Sequence, residues 1–154
     1  MAVWGIGAYD PIERFDYSDI FLDEGCAYIG YLPKNANAIF QMVSYIKPGD
    51  LIFIKSSKGN YMCVKAVGIV RNNKTETFYD NTGKRPGEAF SVTWKAKIKG
   101  EEDNIFNQGK EHLTAYQTTI FEEYNPDVIE YVINKIINPN KNEIVPFKEY
   151  IYKA

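Results

Sequence analysis

The sequence has one histidine and two cysteines. Zinc centres draw on Cys and His in sets of three or four, so His112 alone excludes a zinc site of ordinary composition. Cys26 and Cys63 lie in the apolar, strand-like runs CAYIGY and YMCVKAVGIV and read as buried free thiols. No apolar run approaches the roughly 18 residues of a membrane span. No charged-then-apolar leader is visible, so a soluble, cytoplasmic protein without a membrane partner is expected.

A dominant basic stripe is also missing. The 18 basic and 20 acidic residues leave a formal net charge of -2. Lys95, Lys97 and Lys99 form the densest basic stretch, and Glu101, Glu102 and Asp103 follow at once. Tight sequence-independent binding to duplex DNA needs such a stripe. The balance weighs against a protein that grips long nucleic acid by itself. It leaves room for a single nucleotide or one extruded base.

Catalytic signatures are equally scarce. Neither GxxxxGK[ST] nor GxSxG occurs. GIGAYD starts like a dinucleotide fingerprint but runs into a turn with Pro11 instead of a helix. His112 sits in the polar stretch GKEHLTAY and reads as a solvated loop residue. Asp19 and Asp23, four apart on a short helix, read as a solvated face. The acidic run at Glu101 lacks the convergence of a metal cluster. A non-enzymatic protein with no cofactor and no metal is expected.

What is present is a single domain's worth of chain: 154 residues, 45% apolar and 25% charged, near the globular average. Aromatics are in surplus at 15%, with 12 Tyr, 9 Phe and 2 Trp. Such rings suit both cores and stacking surfaces.

AVWGIG reads as a first strand, DYSDIFLDEG as a short helix stopped at Gly25, and CAYIGY as a second strand. KNANAIFQMVSYIK carries apolar residues at spacings of three and four, the mark of a helix, and Pro48-Gly49 ends it. KPGDLIFIKSSKGNYMCVKAVGIV reads as two strands with a hairpin turn at Gly59-Asn60. Residues 71 to 88 read as a long polar loop. AFSVTWKAKI alternates apolar and polar over nine residues, which predicts a strand. A second polar loop then runs to about Gly109. NPDVIEYVINKIIN predicts a helix capped by Asn125, the start of a helical extension over about 125–154. Strand-rich hairpins flanked by helices predict an α+β fold: a curved, mainly antiparallel, barrel-like sheet with helices at its edges.

The aromatic surplus directs attention to Trp4, Trp94, Tyr9, Tyr28 and Tyr31. Each indole taken alone reads first as core. The functional alternative is stacking on a planar ligand, which contributes roughly 1–3 kcal/mol per base. Ser56 and Ser57 would then bond a base edge and Lys55 a phosphate; the alternative is a surface turn before Gly59.

Four segments together resemble the PUA-like superfamily, in particular its EVE-type branch and the N-terminal reader modules of modification-dependent restriction systems. They are AVWGIGAYD, FLDEGCAYIGY, IKPGDLIFIKSSKG with its returning VKAVGIV, and FSVTWKAKI. The PGD and KSS pair is the most telling. Tyr31 stands where a tryptophan is common; the resemblance covers roughly the first 100 residues, and the last 50 are unmatched. The resemblance implies a nearly closed β-barrel with a cavity for a modified base flipped out of nucleic acid, at a cost of a few kcal/mol. It implies pocket roles for Trp4, Tyr31, Ser56, Ser57 and Trp94; Lys55 and Tyr9 join them by position alone.

Three readings follow. One is a reader of a modified base in DNA or RNA. Another is a stand-alone protein that sequesters a free nucleotide signal in bacterial or phage conflict, which the acidic balance favours. The last is a protein-interaction module. The sequence leaves the oligomeric state open.

Overall fold

A computed structural model describes residues 1–11, 13–30, 36–79, 83, 86–100, 103–107 and 120–151. Among them, strand β1 (Val3–Gly7) is followed by a small hairpin of β2 (Tyr9–Asp10) and β3 (Phe15–Asp16). Helix α1 (Ser18–Glu24) ends where Gly25 takes a left-handed φ of 69°, the stop read from the sequence. Strand β4 (Cys26–Ile29) and helix α2 (Asn37–Val43) lead to the long hairpin β5 (Leu51–Lys58) and β6 (Tyr61–Val70). Then come β7 (Glu76–Tyr79), β8 (Pro86–Lys97), β9 (Ile105–Asn107) and β10 (Ile120–Glu122). Helix α3 (Pro126–Ile137) and a 3-10 turn (Lys141–Glu143) follow.

Eight of these strands form one curled sheet, a half-barrel in the order β10-β1-β5-β6-β8-β4, with β7 beside β8 and β9 beside β6. The β1–β5 pair is parallel and every other pairing in the sheet is antiparallel. Two irregularities bend it, at Ile54/Lys55 between β5 and β6 and at Val67/Gly68 between β6 and β8. A Cβ on Gly68 would sit 2.8 Å from the Thr93 carbonyl and 2.9 Å from the Trp94 ring, so the second bend needs glycine. The architecture is α+β with a barrel-like sheet, as expected from the sequence.

Both faces of the sheet are covered, which explains why LIFI is apolar without alternation. Trp4, Ile6, Ile52, Ile54, Phe90 and Trp94 pack on one face with Phe21 and Leu22 of α1 and Val43 of α2. Val3, Leu51, Phe53, Val64 and Val67 pack on the other with Val128 and Val132 of α3. The Asn125 side chain accepts from the Asp127 amide at 2.9 Å, capping α3 as expected. A buried ion pair, Lys135 to Glu143 at 2.9 Å, fastens the end of α3 to the 3-10 turn. The following tail docks along β8: the Val145 amide donates to the Lys95 carbonyl at 3.1 Å.

The two stretches read as loops contain more order than expected. β7 and the start of β8 lie within 71 to 88, and β9 lies before Gly109. None of the helices among the described residues is long and apolar enough to cross a membrane.

Candidate functional site

β1 and β5 run side by side, with Gly7 paired to Lys55. Their C-terminal ends therefore bring Tyr9, which follows β1, near Lys55, Ser56 and Ser57, which end β5. A cleft of about 310 Å³ lies nearby, and none of these four residues lines it. Its walls include Asp16, Ser18, Asp19 and Leu22 on one side and Cys63, Lys65, Lys97 and Asn104 on the other. Three wall residues are strand neighbours of the predicted ones. Asp16 pairs with Tyr9, Cys63 pairs with Ser56, and Lys65 occupies the irregularity facing Ile54 and Lys55.

The pleat divides the serine pair. Ser56 follows the face of Ile54 and projects with Cys63, toward the cleft side. Lys55 and Ser57 follow Phe53 and project with Val64 and Met62, toward the α3 side. Lys55 is half-buried there, and burial pulls the pKa of its ammonium down. Tyr9 is 60% exposed.

The indoles are elsewhere. Trp4 and Trp94 are each 2% exposed within the same core cluster. Trp4 donates its N–H to Asp50 Oδ2 at 3.0 Å, and Trp94 donates to the Cys26 carbonyl at 2.8 Å. Trp94 also stacks on Phe21, centroids 6.5 Å apart. Neither ring lines the cleft. The structure thus gives both indoles the core role that was the alternative to ligand stacking. Tyr31 and His112 lie outside the described residues.

Two ion pairs cross the cleft. Lys65 reaches Asp16 at 3.4 Å and Lys97 reaches Asp19 at 3.0 Å. These partners are 42% to 75% exposed in their side chains, so each pair contributes at most about 1 kcal/mol. Asp16 also accepts from the Ser18 amide at 2.9 Å and the Ser18 hydroxyl at 2.6 Å, at the start of α1. Burial pushes the Asp16 carboxyl up, but Ser18 and Lys65 outweigh it and hold its pKa below the usual carboxylate range.

Asn104 is the most constrained wall residue. Pairing of β9 with β6 sets it beside Val64. Its Nδ2 donates to the Val64 carbonyl at 2.8 Å and approaches Cys63 Sγ at 3.3 Å, while its backbone carbonyl accepts the Val64 amide at 2.9 Å. These bonds fix the amide's orientation. Oδ1 is then a buried acceptor with no hydrogen-bond partner among the described residues, on a side chain only 2% exposed. With less than 1 Å² of accessible surface, this oxygen is closed off from the cleft. Nothing in the sequence pointed to Asn104; only the strand register reveals it.

Among the described residues no group of three or more His, Cys, Asp or Glu converges as a metal site. Neither Cys26 nor Cys63 forms a disulfide. A scan of protein-family models finds no match, and neither does a comparison with curated proteins. Protein PSPTO5229 from Pseudomonas syringae, a solved structure, is similar at 15% identity, with a TM-score of 0.44 over 86% of this chain and 97% of that one.

Proposed function

We propose that this protein is a PUA-like, non-catalytic binding module that takes a nucleobase or nucleotide in the cleft beside the ends of β1 and β5. The observation that carries this reading is the cleft of about 310 Å³ itself, whose walls combine Ser18, Asp16, Asp19, Lys65 and Lys97 with the apolar Leu22 and Ile98. That volume lies at the small end of ligand clefts, which hold about 300–1,000 Å³. The curled half-barrel is compatible with a PUA-like fold, and the PGD, KSS and tryptophan segments quoted above support the assignment.

A base offers ring and amino N–H donors to Asp16, Asp19 and the Ser18 hydroxyl, while Leu22 and Ile98 supply apolar contact for its ring. Recognition is then by edge hydrogen bonds more than by the two indoles. The cleft's two lysines are offset by two aspartates, so its lining has no net charge. That favours a small ligand, free or extruded, over a long stretch of polymer.

Thermal-shift and calorimetric titrations with nucleosides, nucleotides and short modified oligonucleotides test the reading. A stabilising shift with a nucleoside or nucleotide is expected. A shallow dependence on salt is expected as well, because a polymer held through many phosphates gives a steep one. A correctly folded protein that responds to none of these ligands removes the reading.

A further inference from the structure

Independently of the cleft, we infer that a pocket beneath the C-terminal tail binds a phosphate group, free or carried as a small monoester, with Arg71 as its charged ligand and the Thr93 hydroxyl beside it. The pocket holds about 240 Å³ and shares no lining residue with the cleft. Its floor is the face of β8 that points away from Phe90 and Trp94. Ser91 and Thr93 belong to that face, which the alternation in the sequence marks as wet. They are nevertheless only 8% and 7% exposed. Residues 147–150 of the tail form the opposite wall. The tail is held there through its backbone: a Cβ on Gly25 would sit 2.4 Å from the Lys148 carbonyl. A space of this size over buried hydroxyls suits a polar guest. It lies below the roughly 300–1,000 Å³ of ordinary ligand clefts, which fits a small anion.

Arg71 is oriented toward this space by three contacts. Its amide donates to the Ser91 carbonyl at 3.0 Å and ties its backbone to β8. Its guanidinium carbon lies 5.6 Å from the centroid of the Phe147 ring, a cation–π distance. Its Nη1 reaches Thr93 Oγ1 at 3.5 Å, the long limit of a hydrogen bond. Both Phe147 and Thr93 line the pocket, so the guanidinium sits at it. Most of its five N–H donors stay open. Among the described residues no carboxylate lies within ion-pair distance of it. Lys148 also lines the pocket, against one carboxylate, the exposed Glu149. The lining is therefore positive, unlike that of the cleft. A guanidinium fork gives two parallel N–H bonds to two oxygens of a phosphate. The Thr93 hydroxyl, which accepts only weakly from Arg71, keeps its hydrogen for a third oxygen.

Calorimetric and thermal-shift titrations of the intact protein at matched ionic strength test this with sodium phosphate, phenyl phosphate, acetate and chloride. Both phosphates should stabilise the protein where chloride and acetate do not. Tighter binding of phenyl phosphate assigns the pocket to a monoester, and equal binding assigns it to the free anion. Arg71→Gln, at an exposed position, should weaken phosphate about tenfold or more. Arg71→Lys, which keeps the charge and loses the fork, should also weaken it and carries the same test if Arg71→Gln does not fold. Lys97→Gln in the cleft should leave phosphate affinity unchanged. Phosphate that acts no differently from chloride overturns the proposal. So does phosphate binding that Lys97→Gln weakens and the Arg71 variants do not, which puts the anion in the cleft. Neither result touches the nucleobase reading, which rests on other residues.

Discussion

Trp4 of β1 and Asp50 of the turn before β5 are joined by a buried hydrogen bond of 3.0 Å. The same carboxylate accepts the Ala2 amide at 3.1 Å and the Lys47 amide at 2.9 Å. One aspartate thus fixes the turn and ties it to the strand that runs parallel beside it. The tryptophan and the Gly-Asp turn, two of the segments on which the family resemblance rests, form a single structural unit. Trp4→Phe keeps most of the apolar volume but removes one donor from a buried carboxylate. A loss of about 1–3 kcal/mol is expected, read from the urea midpoint at neutral pH. Unchanged stability would show that the bond does not hold the two elements.

Acid should unfold the chain through the same residue. Burial pushes the Asp50 carboxyl up, but the donors from Lys47, Trp4 and Ala2 outweigh it and hold its pKa below the ordinary 3.8. Glu143 behaves alike: burial raises it, and Lys135 with the Lys99 and Asn140 amides lowers it below the ordinary 4.5. A carboxyl whose folded pKa is depressed stabilises the fold fully above its unfolded value. That contribution is lost as pH falls through the folded value. Urea midpoints should hold steady near neutrality and decline below about pH 4.5, and Glu143→Gln should flatten part of the decline.

The Lys135–Glu143 pair, with side chains 9% and 2% exposed, holds α3 to the turn after it. Removing one member leaves the other charge buried without its partner. Lys135→Met should therefore cost about 3–5 kcal/mol despite fitting the apolar surroundings. Asp19→Asn, at an exposed pair, should cost no more than about 1 kcal/mol. Chemical denaturation of the two variants side by side checks the contrast; equal costs would contradict it.

Cys26 is fully buried beside Glu24. Burial, then the Glu24 charge, pushes its thiol up to about 12. The thiolate is the reactive form, so Cys26 should resist alkylation in the native protein at pH 8 and react on unfolding. Peptide mapping after timed iodoacetamide treatment reads this directly, and rapid native labelling of Cys26 would contradict it.

The elements visible in the sequence are those whose signal is local. Gly25 stops α1 by its own conformation, Asn125 caps α3 with its own side chain, and the stripe from Val128 to Val132 faces the core by spacing alone. β7 and β9 look like loop in the sequence because ETFY and IFN are short and sit among polar residues; their order comes from β8 and β6 alongside. The site divides in the same way. Tyr9, Lys55 and Ser56 lie near the C-terminal ends of β1 and β5, and none of them is among the cleft's wall residues. Which of them turns toward the cleft depends on the pleat, and the cleft's own wall depends on pairings among β2, β3, β6 and β9. No window of sequence contains Asn104, Lys65 and Asp16 together.

β1 lies between β5 and β10, with partners 48 and more than 110 positions further along the chain. During synthesis, at roughly 5–20 residues per second, it emerges well before either flank exists. One edge of it can pair once Leu51–Lys55 has emerged, but the other stays open until Ile120–Glu122 leaves the ribosome. Folding of this sheet is therefore a late closure around an early strand, and that delay is when chaperone capture or aggregation competes with the native route.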